Sequence, residues 1–480
     1  MDQEVVSEGQ YLACHRDWIL CSLPGKPRFF SPPCYSYCAC LLPLTPHWCS
    51  LAPNSDTCTH YVSQSMQQMS IHAAMEHAML AREQILLGGL EGAAWSDCLD
   101  LHDSTVRQLN RSLGPSRRRV GYDVRTWLSA ALTNLHTCRA ALAELHVPSS
   151  WFVPLLTNAS ELVRNALAIT ETGAEEEERK GGGAFPEWSS VEDRELLRAR
   201  RGDVVADLVV AKDGSGDFGS IKEAINDASR RRGRESRRFV IYVKEGVYVE
   251  NVQVGVRDLM LVGDGIGKTV VTGSRSVAGG STTFNSATVG DFEGYQDTLY
   301  AHSLRQFYRE CDVHGTVDFI FGNAAAVLQD CNIYVRRPMS KQQNTITAQG
   351  RTDPSQNTGI VIQHCRVTAA PDLRPVQGKF RTYLGRPWQA YSRTVFMGTY
   401  MDDLISAAGW LEWSGGFALN TLYYGEYKNT GPGSDTSRRV RWRGHHVITD
   451  PSTALRFTVR GLLSGGSWLP ATGVPFTDGL

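Results

Sequence analysis

The 480-residue chain sets 49 lysines and arginines against 50 aspartates and glutamates, for a net charge of −1. A chain this long supports more than one hydrophobic core, and so even a balance argues neither for nucleic acid nor for another strongly charged partner. No apolar run of about 18 residues occurs, so no membrane-spanning helix is predicted.

Residues 1–48 hold Cys14, Cys21, Cys34, Cys38 and Cys40, scattered prolines and tryptophans, and no apolar stretch of signal-peptide type. They are expected to be unstructured and to reflect a misassigned start; a metal-binding tail is the alternative, against which stands the lack of Cys-x-x-Cys spacing. Between 49 and 172 the pattern is helical. Leu128, Ala131, Leu132, Leu135 and Cys138 mark one apolar face, and Leu155, Ala159, Leu162, Ala166 and Leu167 another, both at helical spacing. With Tyr61–Leu87 and Asp97–Leu113 they make four amphipathic segments, for which an up-and-down four-helix bundle is the economical arrangement. Cys49 and Cys58 bracket a short loop, while Cys98 and Cys138 fall on the second and third helices. Asn110-Arg-Ser and Asn158-Ala-Ser are glycosylation sequons. Residues 173–206 read as a flexible linker, because Glu175–Glu178 runs into Arg-Lys-Gly-Gly-Gly without an apolar period. Arg117–Arg119 and the arginines of 230–238 read as solvated loops, with attraction to an anionic polymer as the alternative.

From 207 onward the pattern turns to strands. Leu208-Val-Val-Ala211 predicts one, and Gly214-Ser-Gly-Asp-Phe-Gly219 after it fits a dinucleotide-binding pattern. Asp213 and Asp217 would repel a pyrophosphate, and no acidic residue closes the next strand, Phe239–Val243, so the segment is read as the turn into a cap. Beyond it the chain repeats. Gly294-Tyr-Gln-Asp-Thr-Leu-Tyr300 and Gly315-Thr-Val-Asp-Phe-Ile-Phe321 share one pattern; Phe307–Val313 recurs as Val327–Ile333, again as Val361–Val367, and again from Val395 to Thr399. Gly350-Arg351 recurs as Gly385-Arg386. Coils of about 20 residues that each present a strand predict a parallel β-helix. Asp297 and Asp318, equivalent in adjacent coils, would then sit about 4.8 Å apart. Two carboxyls so close cannot both ionise at ordinary cost, which makes an acid and a nucleophile from one residue type. Arg386 and Trp388 belong near the same face. Cys331 and Cys365 occupy one place on successive coils, close enough to pair if their side chains point alike.

These residues resemble a known family. From about Asp207 to Leu480 the chain looks like the catalytic domain of plant pectin methylesterases, on the runs Val210–Gly216, Tyr295–His302, Gly315–Asn323, Thr347–Thr352 and Leu384–Trp388. The resemblance implies a right-handed parallel β-helix at 207–480 that hydrolyses the methyl esters of polygalacturonate without metal or cofactor. It implies Asp318 as nucleophile, Asp297 as proton donor, Gln296 as a stabiliser of the oxyanion and Arg386 as the residue orienting Asp318. Thr283, Arg386 and Trp388 would contact the sugar. Residues 49–172 resemble the family's inhibitor-like pro-region, whose four cysteines pair first with second and third with fourth, here Cys49–Cys58 and Cys98–Cys138. Together with Cys331–Cys365 and glycans at Asn110 and Asn158, these bridges imply a secreted, cell-wall protein. The expected partners are methylated homogalacturonan and a proteinaceous inhibitor, the expected state a monomer. The family's processing site carries two arginines ahead of two leucines; here Glu195 replaces the second, leaving Arg198 and Arg200-Arg201 as basic alternatives.

One stretch departs from the family. Ser281–Val289 passes directly into Asp291–Gln296, where relatives carry a Gln-Ala-Val-Ala-Leu-Arg motif whose glutamine is a principal oxyanion donor. At about 20 residues per coil, roughly two coils are expected to be missing, and Cys311 is expected to be unpaired. Val289–Phe292 can still serve as a strand. Two functional readings therefore stay open: a pectin-demethylating esterase with impaired turnover, and a non-catalytic pectin-binding or inhibitor-like protein that kept the fold.

Overall fold

The structure, a computed structural model, describes residues 55–114, 121–178, 205–231, 238–256, 258–272, 282 and 292–480. Met1–His60 and Tyr61–Leu480 form two separate compact units. Helix α1 (Ser55–Leu87) begins at the end of the first unit, and every later element belongs to the second. Helices α2 (Ala93–Leu113), α3 (Gly121–Glu144) and α4 (Val153–Glu178) come next. The predicted face of α3 is buried, and it shares one apolar cluster with Ile71 and Ile85 of α1, Leu101 and Leu109 of α2, and Leu156 and Val163 of α4. On α4, Ala159, Ala166 and Leu167 are buried as expected, but Leu156 and Val163 fill the core where Leu155 and Leu162 were expected, and the latter pack at its margin. Both sets satisfy helical spacing, and only the position of the neighbouring helices decides between them. Cys98 is bridged to Cys138, tying α2 to α3; Cys49 and the side chain of Cys58 lie outside the described residues. Helix α4 runs on to Glu178, through the acidic residues expected to open a flexible linker. Glutamate is a good helix former, and that propensity carries the segment nearly two turns further than its charge pattern suggested.

The rest is built from parallel strands. A three-stranded sheet, β1 (Leu208–Val210), β2 (Phe239–Val243) and β4 (Leu259–Gly263), is covered by the amphipathic α5 (Ile221–Arg231). Three longer sheets follow: β7 (Leu299–Tyr300), β10 (Val317–Gly322), β13 (Asn344–Gln349) and β16 (Thr382–Gly385) in one; β8 (Arg305–Arg309), β11 (Ala325–Gln329), β14 (Gly359–Gln363), β17 (Arg393–Met397), β19 (Tyr423–Tyr427) and β20 (His445–Val447) in another. The third runs through β3 (Gly246–Val249), β5 (Thr269–Thr272), β6 (Phe292–Glu293), β9 (Asp312–Gly315), β12 (Asn332–Val335), β15 (Arg366–Ala369) and β18 (Tyr400–Met401). From β7 to β18 the chain gives each sheet one strand in rotation, so successive coils stack, and inward residues such as Leu328, Ile333, Ile346, Ile362 and Phe396 make a continuous core. Phe307 pairs with Val327, Val327 with Val361 and Val361 with Val395, the register read from the repeats. The glycine–arginine repeat is the exception. Thr347, not Gly350, pairs with Gly385, because the loops before β13 and β16 differ in length, and Gly350 faces Trp388 instead, where a Cβ would come within 2.8 Å of the indole.

The expected Cys331–Cys365 bridge is absent: both remain buried thiols, and Cys311 likewise keeps its thiol. The corner they occupy explains this. Glu310, Asp330, His364 and Lys428 all take the left-handed conformation that ends an outer strand, with Gly398 at the matching place, and the next residue hydrogen-bonds back into the stack. The Thr399 hydroxyl donates to the carbonyls of Ile362 and Met397. Cys365 Sγ reaches those of Leu328 and Gln363, both at 3.3 Å, and Cys331 Sγ those of Gln329 and Tyr308. The thiols fill the role of threonine hydroxyls.

Among the described residues, only one sheet crosses the point where coils were expected to be missing. There β5 pairs directly with β6, at Val271↔Phe292 and Thr272↔Glu293, while β4 ends its sheet on one side and β7 and β8 end theirs on the other. The apolar interior divides at the same place: Val271 belongs to the cluster under α5, Leu299 and Val313 to the main core. Residues 283–291, and with them the strand expected at Val289, lie outside the described residues apart from its end at Phe292.

Candidate active site

Asp297 and Asp318 stand at equivalent places on adjacent coils. The strands beside them pair at Leu299↔Ile320, and the Asp297 N–H donates to the Val317 carbonyl at 3.1 Å. Both residues are left-handed, with φ of 55° and 52°, which costs on the order of 1 kcal/mol each away from glycine and is typical of functional sites. The glycine of the repeated pattern permits the fold-back beside them: a Cβ on Gly315 would lie 2.2 Å from Phe319 Cβ. A bulge in the pairing of β10 with β13, between Val317 and Ile320, falls on Asp318 itself and re-aims its side chain.

The two carboxyls have opposite surroundings. Asp318, 5% exposed, accepts from Arg386 Nε at 2.9 and 3.1 Å, from Arg386 Nη2 at 2.7 Å and from the Thr345 hydroxyl at 2.6 Å. A two-pronged charged clamp of this kind is among the strongest hydrogen-bonding arrangements in proteins. Arg386 is itself held under Trp413, its guanidinium carbon 4.3 Å from the ring centre. Burial, then the charge of Asp318, push the Asp297 carboxyl up to about 7; Glu144 adds to this, and Gln296 and Arg386 work against it. One carboxyl is thus fixed as an acceptor while its neighbour retains a proton to give. That pairing suits attack on an acyl carbon followed by protonation of a leaving alkoxide.

Of the other expected residues, Gln296 is exposed and its amide donates to Asp297 Oδ2 at 3.4 Å. Trp388 packs on Gly350 and stands edge-on to Tyr300 and Phe321. Thr283 lies outside the described residues. Asn110 and Asn158 are exposed on α2 and α4.

Helix α3 lies over this ground. Along one face, the Thr126 hydroxyl accepts from Asn357 Nδ2 at 2.9 Å, and the Ser129 carbonyl accepts from Gln356 Nε2 at 3.2 Å. Further along, the Thr133 hydroxyl accepts from Asn323 Nδ2 at 2.9 Å, and Thr137 Oγ1 meets His302 Nε2 at 2.9 Å. Arg125 donates to the Ser355 carbonyl, and Arg305 of β8 forms an ion pair with Asp123. A cavity of about 50 Å³ remains between Thr133, Thr137 and Glu144 on the helix and Tyr300, Gly350 and Trp388 below. The helical spacing marks the buried face of α3, but nothing in it says that this polar stripe has a partner. Thr345, on β13, and Trp413, in the loop after β18, are equally invisible, since loops of unequal length precede them and hide their register.

A proton-bearing carboxyl beside an arginine-clamped one, on stacked parallel coils, is an arrangement able to serve a hydrolase. The pectinesterase family matches residues 207–292 and 290–466, and the plant invertase/pectin methylesterase inhibitor family matches 44–169. The chain belongs to the pectinesterase family, among the carboxylic ester hydrolases. Pectinesterase 2 of Citrus sinensis is 49% identical over 490 positions, covering 90% of this chain and 94% of that protein. The probable pectinesterase/pectinesterase inhibitor 17 of Arabidopsis thaliana is 49% identical over 489, with the same coverage. Both alignments are longer than this chain, so each relative carries residues with no counterpart here. Among solved structures, the pectin methylesterase from carrot is 49% identical with a TM-score of 0.53, covering 58% of this chain and 99% of that one.

Proposed function

We propose that this chain is secreted to the cell wall, where a right-handed β-helix at 207–480 hydrolyses the methyl esters of polygalacturonate and an N-terminal four-helix bundle covers its groove until removed. The observation that carries the reading is the divided pair: Asp318 clamped by Arg386, with Asp297 raised to about 7 beside it. Asp318 Oδ attacks the ester carbonyl at C6, and the Gln296 amide donates to the oxyanion that forms. As that intermediate collapses the C–O bond to methoxide breaks, and Asp297 supplies the proton that makes it methanol. Asp297, now a carboxylate, takes a proton from water as the water attacks the acyl-enzyme; pectate leaves and both carboxyls return to their starting states. Trp388 and Arg386 align the sugar, and Thr283 is proposed to join them.

The test is methanol release from methylated pectin. Asp318→Ala is expected to remove it almost wholly, and unchanged turnover would assign the nucleophile elsewhere. A second reading, a pectin-binding protein without turnover, is favoured by one observation: a single sheet crosses the seam at β5 and β6, where the glutamine donor of relatives has no counterpart. Hexagalacturonate binding with no methanol release, from wild type and Asp318→Ala alike, would select it.

A further inference from the structure

We infer that Asn323, Gln356 and Asn357, with His302, form a binding row for the hydroxyl groups of a polyuronate chain, and that α3 occupies this row as a protein mimic of that chain; the inference rests on the pectin reading above. Thr126, Ser129, Thr133 and Thr137 recur every three or four residues, so their oxygens line one side of the helix at steps of about 4.5–6 Å. That is the pitch of a polymer of single rings offering hydroxyls in sequence.

The groove side is prepared independently of the helix. Asn323 Oδ1 accepts from Gln349 Nε2 at 3.1 Å and from the Thr358 hydroxyl at 2.6 Å, which fixes the amide plane and leaves its NH2 to serve both Gln356 beside it and Thr133 of the helix. Gln356 Oε1 accepts from the Thr352 N–H at 3.0 Å and from Asn323 Nδ2 at 3.3 Å. Both amides are buried, as are Asn357 and the helix residues they meet. The groove meets the helix through amides that its own coils hold in place, and a few such precisely placed amides, aimed at hydroxyls, are what a sugar site offers. Tyr300 and Trp388 add aromatic surface at one end. There the helix ends in Glu144, near enough to Asp297 to act on its charge, a carboxylate where a uronate would bring its own.

The experiment compares two ways of loosening the same helix in the full-length protein. Thr126→Val/Ser129→Ala/Thr133→Val removes helix hydroxyls only, while Gln356→Ala/Asn357→Ala removes groove amides; Asn357→Ala alone serves if the pair fails to fold. Amide hydrogen exchange across Gly121–Glu144 measures helix release, and calorimetric titration with hexagalacturonate measures the freed groove. Both sets are expected to speed exchange. The helix-side variant should bind hexagalacturonate more tightly than wild type, and the groove-side variant at least about tenfold more weakly than the helix-side one at matched exchange, since each lost hydrogen bond leaves a hydroxyl unpaired. Equal affinity at matched exchange would overturn the inference and leave the pectin reading standing. No binding by any form overturns the row; if the helix-side variant also releases no methanol, the pectin reading falls with it.

Discussion

Asp297 is the residue on which pH acts. Its carboxyl titrates near 3.8 in an unfolded chain and at about 7 in place, burial being the main cause and Asp318 the next. The folded state therefore keeps a proton that the unfolded chain has lost between those values. The stability this contributes is complete below about pH 4 and is gone once pH has risen through about 7. Asp297→Asn, neutral throughout, should gain on the wild type as pH rises: unfolding midpoints in urea at pH 4 and pH 8 should diverge by roughly 2 kcal/mol in its favour, about half the unscreened value of the shift. A constant difference would mean that Asp297 is not perturbed. In the proposed mechanism the same group sets the alkaline limb of kcat/KM for methanol release, expected near pH 7; in the full-length protein with α3 docked, Glu144→Gln should lower the pH at which the Asp297 carboxyl titrates, as carboxyl NMR would record, because it removes a negative charge that raises it. The paired aspartates were legible in the sequence because equivalent places on equal coils repeat their neighbours, whereas Arg386 was assigned to Asp318 only by the family resemblance. Glu144 was not, since it reaches Asp297 only through the docking of α3.

At the level of the element, the outer corner shows why thiols persist where a bridge was expected. Cys365 and Thr399 make matching pairs of hydrogen bonds to carbonyls one coil back and two residues back. Cys365→Thr should be nearly neutral. Cys365→Val keeps the volume but leaves the buried carbonyls of Leu328 and Gln363 without that partner, and should cost about 1–3 kcal/mol in a thermal or urea melt. Equal stability of the two variants would show that the sulfur only fills space. In the helical region the bridge from Cys98 to Cys138 is the structural tie, and Cys98→Ser/Cys138→Ser should lose about 2–5 kcal/mol. Elements with a regular period, such as β8, β11, β14 and β17, could be placed in register from sequence. Where loops of unequal length intervene, as before β16, the offset of the motif and that of the strand part company, which is how Gly350 came to be matched with Gly385.

At the scale of the whole molecule the decisive feature is the seam between β5 and β6. The sequence placed it through missing motifs, and the structure adds what spacing could not reveal: among the described residues three sheets end there, one on one side and two on the other, a fourth continues, and the apolar core is divided. Loss of one oxyanion donor typically slows turnover about 10²- to 10³-fold, and if two coils are missing at the seam, as proposed, the groove wall that aligns the polymer is shortened as well. The protein as it stands should therefore release methanol from methylated pectin at least about 100-fold more slowly than a variant into which two coils, with their glutamine, are inserted between Val289 and Asp291. That variant should also unfold in a single transition, whereas the short form, with its two clusters joined through β5 and β6, should melt the segment from Leu208 to Thr272 first, as hydrogen exchange of β2 and β4 relative to β11 and β14 would record. If the two forms turn over equally, Gln296 supplies all the oxyanion stabilisation that the chemistry needs. If instead β2 and β11 exchange at one common rate in the short form, the single continuous sheet is enough to make the divided core cooperative, and the slowed turnover must then come from the missing donor alone.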